Sequence, residues 1–147
     1  MIRKIAQIIY QYPKVTAFGT LFSQLGALDL QYKLAYNHKF IMSYVNDVKQ
    51  DEYLKNNSEQ GVVIIYSNSG NYLNKYQLSS FDEKKKYDYK NKKVILITAN
   101  EMMVNHPDVD ICLVYQHLSK LQTHSYIYPL INDLIVAEYR SFQNANF

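Results

Sequence analysis

The chain has 147 residues, of which 48% are hydrophobic and 20% charged, and this composition is typical of one folded domain spanning residues 1–147. Sixteen Lys and Arg against thirteen Asp and Glu leave a net charge of +3, too small to indicate a nucleic-acid or anionic-membrane partner. No apolar run approaches the roughly 18 residues of a membrane helix, and no secretory signal is recognisable. We therefore expect a cytoplasmic protein with no membrane contact.

Two kinds of apolar pattern follow each other along the chain. Residues 2–12 can form a helix that ends before Pro13, and residues 22–36 and 125–142 repeat apolar side chains at helical spacing. Five short stretches rich in β-branched and aromatic residues predict strands buried on both faces. These strands span residues 14–19, 39–44, 61–67, 92–98 and 110–115. Because parallel neighbours need long crossovers, the alternation predicts an α/β fold, a three-layer α/β/α sandwich with a five-stranded parallel sheet.

Polar loops follow two of the predicted strands. Gly19 closes the first strand and Ser23 begins the next helix, while the third strand runs into Ser-Asn-Ser-Gly-Asn at residues 67–71. Ligands of open parallel sheets bind beyond the carboxyl ends of strands. Backbone N–H groups near Gly70, the following helix N-terminus and the nearby hydroxyls and amides would together suit a phosphate. The same residue types also form ordinary turns and helix caps, so both interpretations remain open.

The order of "KVTAFG", "VVIIYSNSGN", "KKVILIT" and "DICLVY" resembles the sugar isomerase (SIS) phosphosugar-binding domain over residues 14–139. The family motif, a strand running into Ser-x-Ser-Gly-x-Thr, matches Ser67, Ser69 and Gly70. Within that superfamily the chain looks most like the C-terminal effector domain of RpiR-type bacterial transcription regulators. In those regulators a separate N-terminal helix-turn-helix domain reads DNA, and this chain leaves too few residues before its first strand to contain one.

The resemblance implies a flavodoxin-like SIS fold that senses a sugar phosphate, assembles as a dimer or tetramer, and needs neither a cofactor nor a metal. It places the ligand on both loops, at Gly19, Thr20, Ser23, Ser67, Asn68, Ser69, Gly70, Asn71 and Tyr72. The excess apolar surface of the helices at 22–36 and 125–142 would pack between subunits. Two residues depart from the family pattern. Tyr72 stands where the family usually has Thr, and Leu21 stands where the first loop commonly has a second glycine.

An enzymatic alternative, a phosphosugar isomerase, needs a general base beside the substrate carbons. Residues 103–136 contain no glutamate, which weakens this interpretation and leaves us without a catalytic assignment. His117 and His124 follow the fifth predicted strand, and Glu101 follows the fourth, so they remain the candidates. A third possibility is a degenerate module that serves only dimerisation.

Other chemistry-bearing residues favour structural roles. His106, Asp108 and Asp110 have no further ligand cluster and more plausibly shape a turn than hold a metal. Cys112, the single cysteine, lies in an apolar run and is expected to be a buried, reduced thiol. Residues 81–93 hold six lysines and three acids, which predicts a solvated helix end and loop, with an anion or partner surface as the alternative.

Overall fold

The computed structural model describes residues 1–56, 58–74, 87–116 and 126–146. Within these ranges the chain forms helices and strands in alternation. The helices are α1 (Ile2–Gln11), α2 (Ser23–Ala35), α3 (Asp47–Asn56) and α4 (Ile127–Ala145), and the strands are β1 (Val15–Gly19), β2 (Gly61–Tyr66), β3 (Lys92–Thr98) and β4 (Ile111–Val114). Two short 3₁₀ helices, Asn71–Asn74 and Glu101–Asn105, follow β2 and β3. None of the helices in the described ranges is long and apolar enough to span a bilayer.

All four strands run parallel, in the order β1-β2-β3-β4, which confirms the predicted α/β class with a parallel sheet. The register places Ala17 beside Ile64, and Ile64 beside Ile95. Every residue of β1 and β2 is buried, because helices cover both faces of the sheet. Parallel pairing brings the carboxyl ends of β1 and β2 to one edge, where the two polar loops begin.

Each face of the sheet has its own hydrophobic core. On one face α1, α2 and α4 contribute Ile9, Leu30 and Ile135, which pack on alternate strand residues such as Ile64. On the other face Leu54 of α3 joins a cluster that includes several aromatic rings. The buried members of this cluster are Phe18, Leu54, Val63, Ile65, Tyr72, Leu73, Tyr87, Tyr89, Val94, Leu96 and Met103.

The sheet has four strands in the described residues, so the prediction of five is wrong at residues 39–44. This segment lies beside β1 but forms a single bridge, Met42 opposite Thr16. The Ala17 N–H donates to the Met42 carbonyl (2.9 Å), and the Met42 N–H donates to Val15 (3.0 Å). We call residues 39–45 the edge segment.

The β-ladder between β1 and the edge segment ends after this bridge because the Gln50 side chain lies between the two backbones. The Gln50 amide donates to the carbonyl of Gly19 at 2.8 Å and to that of Tyr44 at 2.6 Å, so these two backbones are bridged rather than paired. Elsewhere in the edge segment, glutamine side chains of α2 also take the carbonyls, Gln31 that of Ile41 (2.9 Å) and Gln24 that of Val45. The edge segment, whose sequence favours a strand, therefore forms an irregular edge of the sheet beside β1.

The remaining predicted elements agree with the structure to within about three residues. The helix predicted at residues 2–12 ends at Gln11, and Pro129 lies in the first turn of α4 as expected. Helix α3 was not predicted, because the residues that it buries are Leu54 and the polar Gln50 and Asp51.

Only part of the lysine-rich stretch is described, since residues 81–86 lie outside the described ranges. In the described part Tyr87 and Tyr89 are buried in the aromatic core, so the prediction of a wholly solvated loop does not hold there.

Candidate functional site

A cleft of about 340 Å³ opens between the loops that follow β1 and β2. This volume is near the lower end of the range for small-molecule sites, about 300–1,000 Å³. The lining residues are Thr20, Leu21, Phe22, Ser23, Ser67, Asn68, Ser69, Asn71 and Tyr72. The structure thus brings together all of the predicted ligand residues except Gly19 and Gly70, which lie behind the cleft surface.

The first wall of the cleft, residues 19–23, is a tight turn from β1 into α2. A Cβ atom on Gly19 would lie 2.6 Å from the backbone carbonyl of Ser23, so this turn accepts no larger residue without backbone movement. The Ser23 N–H donates to Thr20 at 3.0 Å. Leu21 has φ = 51° and is 84% exposed. Leu21 therefore adopts a left-handed conformation, which costs about 1–2 kcal/mol for a residue with a Cβ.

The second wall, residues 67–72, satisfies many of its own polar groups. The Gly70 N–H donates to the Ser67 carbonyl (3.1 Å), and the Tyr72 N–H donates to Ser67 Oγ (3.3 Å). The Asn71 N–H donates to Ser69 Oγ at 3.2 Å. The N–H groups of Gly70, Asn71 and Tyr72 are therefore occupied. Those of Asn68 and Ser69 donate to no described residue, so they are the open backbone donors among the described residues.

Gly70 has φ = 81°, and a Cβ there would lie 2.6 Å from the Met103 side chain. Both the conformation and the close approach favour glycine. Beyond it the chain makes one 3₁₀ turn, Asn71–Asn74, where the helix was expected to begin, and residues 75–86 lie outside the described ranges. Among described residues, the second wall thus offers side-chain and backbone donors but no α-helix terminus.

Contacts from β3 and the residues after it hold the second wall in place. The Asn68 carbonyl accepts from Thr98 Oγ1 (2.9 Å) and from the Ala99 N–H (3.0 Å). Asn100 Nδ2 donates to the Ser69 carbonyl at 2.9 Å. The carbonyls of Asn68 and Ser69 are thereby occupied by residues at the end of β3 and after it.

Tyr72 forms the floor of the cleft and is only 3% exposed. Its hydroxyl donates to Gln50 Oε1 at 2.7 Å, so it points into the protein and away from the cleft. Burial raises the pKa of this phenol well above its ordinary value, and the nearby Tyr89, Asp47 and Asp51 add to the shift. Gln50 is fully buried, and through the bonds to Gly19 and Tyr72 it joins the two walls from beneath.

Two tyrosines that the sequence analysis missed join the walls from behind. The Tyr115 hydroxyl lies 2.8 Å from Asn68 Oδ1 and 3.1 Å from the Tyr128 hydroxyl, which is 3.2 Å from Ser23 Oγ. Burial raises the pKa of Tyr115 well above its ordinary value, and Tyr128 adds to this through their hydrogen bond. The only signal in the sequence was position, since Tyr115 directly follows β4 and Tyr128 lies in the first turn of α4.

No charged side chain lines the cleft within the described part of the chain. Glu101 is exposed and does not reach the cleft surface, and His117 and His124 lie outside the described residues. The arrangement can therefore donate and accept hydrogen bonds, but the described residues provide no general base on its surface.

The remaining candidates lie on other parts of the molecule. His106 Nδ1 accepts from the Asp108 N–H at 3.2 Å, and Asp110 accepts from the Val94 N–H at 2.7 Å, so these residues shape the entry into β4. No group of three or more metal-ligating side chains occurs among the described residues. Cys112 is half-buried, and burial raises the pKa of its thiol.

No known family profile matches this sequence, and no curated protein is detectably similar to it. Solved structures are similar. A candidate phosphosugar isomerase involved in capsule formation from Bacteroides fragilis has a TM-score of 0.68 at 15% identity, over 97% of this chain and 79% of that one. A candidate sugar-phosphate isomerase from Listeria monocytogenes has a TM-score of 0.67 at 15% identity, over 97% and 76%.

A protein of E. coli CFT073, solved in complex with a sugar-phosphate ligand, has a TM-score of 0.65 at 19% identity, over 97% of this chain and 76% of that one. These structures are phosphosugar-isomerase-like proteins of the SIS type. The likeness shows the fold: this chain has an α/β fold with a parallel sheet, similar to SIS domains.

Proposed function

We propose that this protein is a non-catalytic module that senses a sugar phosphate, as the effector domain of an RpiR-type transcription regulator does. The observation that carries the proposal is the cleft itself, where two loops at the carboxyl ends of β1 and β2 bring hydroxyl, amide and backbone donors together. Such donors suit a phosphate, and the similarity to SIS-type structures supports the same ligand class.

The chemistry of the lining supports binding over catalysis. Isomerisation of a phosphosugar needs a group that removes a proton from carbon, and the described lining residues carry none. The described lining residues include no lysine or arginine and would hold the phosphate by neutral donors, so we expect dissociation constants of roughly micromolar to millimolar. Affinities in this range suit a module that reports the level of a metabolite.

The sensing role also involves a second copy of the chain. Leu130 and Leu134 of α4 are 58% and 57% exposed, and Leu25 of α2 and Phe22 beside it are exposed as well. We propose that these side chains pack between subunits of a dimer or tetramer. DNA would then be contacted only through a separate helix-turn-helix domain.

A phosphosugar isomerase is the second candidate, because two of the similar structures carry that description. Its base would have to come from residues outside the described ranges, such as His117 or His124, or from a partner subunit. A module kept only for dimerisation is the third candidate.

The test is the melting temperature of the full chain against a panel of pentose and hexose phosphates, with product analysis of every compound that binds. At a ligand concentration about ten times the dissociation constant, binding adds about 1.4 kcal/mol, or a few degrees. The Ser69→Ala variant should lose most of this shift. The Ser141→Ala variant, altered at an exposed serine of α4, should retain it. Product formation that disappears in Ser69→Ala would favour the isomerase, and the absence of any shift would favour the dimerisation module.

A further inference from the structure

Four side chains form one continuous file of hydrogen bonds behind the cleft, and its two ends, Asn68 and Ser23, both line the cleft. The middle members are the hydroxyls of Tyr115 and Tyr128. Tyr115 is 8% exposed and Tyr128 is fully buried. Solvent is therefore largely kept from the middle of the file, and each hydroxyl must satisfy its neighbours.

The number of protons on these groups determines which member of each hydrogen bond in the file donates. A phenol or serine hydroxyl has one proton to donate, and an amide oxygen can only accept. The Tyr115 hydroxyl lies within donating distance of both Asn68 Oδ1 and the Tyr128 hydroxyl but has one proton. Asn68 Oδ1 cannot donate, so this proton goes to Asn68, and Tyr115 accepts from Tyr128. Tyr128 in turn accepts from Ser23. The Ser23 proton is thus committed to the file, and its oxygen offers only lone pairs to the cleft.

At the Asn68 end of the file, the group that is left for the cleft donates rather than accepts. With Oδ1 held by Tyr115, the Asn68 amide offers its Nδ2 donors away from the file. The open N–H groups of Asn68 and Ser69 lie on the same wall. Turning the Asn68 amide by half a turn would reverse every bond in the file, and the two ends would exchange roles. In both settings one end of the file donates and the other accepts.

We propose that this file gives the two walls of the cleft opposite hydrogen-bonding character and thereby selects a monophosphate that also carries a hydroxyl. The inference rests on the proposed function and specifies its ligand. The phosphate oxygens lie at Asn68, and a ligand hydroxyl donates to Ser23 Oγ. A bisphosphate of similar length presents acceptors at both ends, so its second phosphate meets an oxygen that has no proton to give.

The direction of these bonds matters because, among the described lining residues, no charge overrides it. The described lining residues are all uncharged, so no cation is present there to attract a second phosphate. An acceptor placed against an acceptor loses one hydrogen bond and leaves a polar group unsatisfied, a penalty that corresponds to about tenfold in affinity. Tyr115 and Tyr128 do not touch the ligand in this scheme and are positioning residues.

The experiment compares fructose 6-phosphate with fructose 1,6-bisphosphate, which differ by one phosphate, using calorimetric titration of the full chain. The wild-type protein should prefer the monophosphate by about tenfold. In Tyr115→Phe and in Tyr128→Phe the file is broken, Ser23 is free to donate, and this ratio should fall toward one. Tyr139→Phe, a matched change at another buried tyrosine of α4, should keep the wild-type ratio.

The ratio separates this inference from a structural role, because loosening of the fold would weaken both ligands together. Melting temperatures of the unliganded variants identify any that fail to fold, and Ser23→Ala then tests the file from its exposed end with the same expected fall. A ratio that is unchanged in the folded variants overturns the inference and leaves the proposed function intact. A wild-type protein that binds neither compound nor any other phosphosugar overturns both.

Discussion

The two walls of the cleft are built by different means. The second wall, residues 67–72, is held from several directions, with its carbonyls bound by Thr98, Ala99 and Asn100. The first wall, residues 19–23, is a single turn with an exposed leucine in a left-handed conformation. One wall is therefore fixed before any ligand arrives, while the other carries strain and few supporting contacts.

This difference indicates which wall of the cleft can change its conformation to fit a ligand. Fixed donors bind a phosphate without loss of conformational entropy, so the second wall is suited to the constant part of a ligand. A wall that stores strain and exposes its side chains can move at lower cost, so the first wall is suited to the variable part. The two walls still depend on each other, because Gln50 binds both from beneath.

The largest expected effect comes from the residue that the walls share. Gln50→Leu removes three hydrogen bonds of a fully buried side chain, to the Gly19 and Tyr44 carbonyls and from the Tyr72 hydroxyl, and should destabilise the protein by about 3–5 kcal/mol. The measurement is urea unfolding. Gln31→Leu, which removes one hydrogen bond to the edge segment, serves as the control and should cost about 1 kcal/mol. Equal losses in the two variants would show that Gln50 does not join the walls.

A smaller effect should distinguish the two glycines. Gly19→Ala places a Cβ against backbone that cannot move aside, and should cost about 2–3 kcal/mol. Gly70→Ala meets the Met103 side chain, which can shift more readily than backbone, and forces a positive φ, and should cost about 1–2 kcal/mol. Thermal unfolding of both variants checks the order. If Gly70→Ala is the more destabilising, the second wall is the less tolerant of the two.

The smallest expected effect is a gain in the free energy of unfolding. Leu21→Gly removes about 1–2 kcal/mol of left-handed strain and adds about 0.5–1 kcal/mol of chain entropy in the unfolded state. The net expectation is a stabilisation of about 0.5 kcal/mol, measured by chemical denaturation. Leu25→Gly, a change in the α2 helix where φ is negative, should instead destabilise. A loss of stability in Leu21→Gly would mean that the leucine makes contacts that outweigh its strain.

Most of the sheet follows from local sequence, because β1, β2 and β3 are runs rich in β-branched and aromatic residues that are mostly buried, and β4 is a short apolar run. The residues of the cleft followed from the same rule, since the loops at adjoining carboxyl ends must meet. The irregular structure of the edge segment could not be predicted from the local sequence. Its sequence favours a strand, and the glutamine that interrupts it lies on α3, a helix too polar to be recognised.

The contacts that hold the site in place could not be predicted from the sequence either. Asn68 and Ser23 could be chosen by residue type and position, but the tyrosines that join them lie on β4's exit and on α4. Such pairings are set by how α4 packs on the sheet, and Gly26 permits it, since a Cβ there would lie 2.9 Å from the Tyr128 ring. Sequence patterns specify which residues lie at an edge, while their partners depend on tertiary packing.

The α2 glutamines that bind the edge segment have a further effect on the behaviour of the protein in concentrated solution. An unpaired border of a sheet offers backbone groups to which another chain can add, and this is a route to insoluble assemblies. The outward carbonyl of Ile41 already accepts from Gln31, and that of Val45 from Gln24. Because Gln24 and Gln31 occupy these carbonyls, this border is a poor template for intermolecular strand addition.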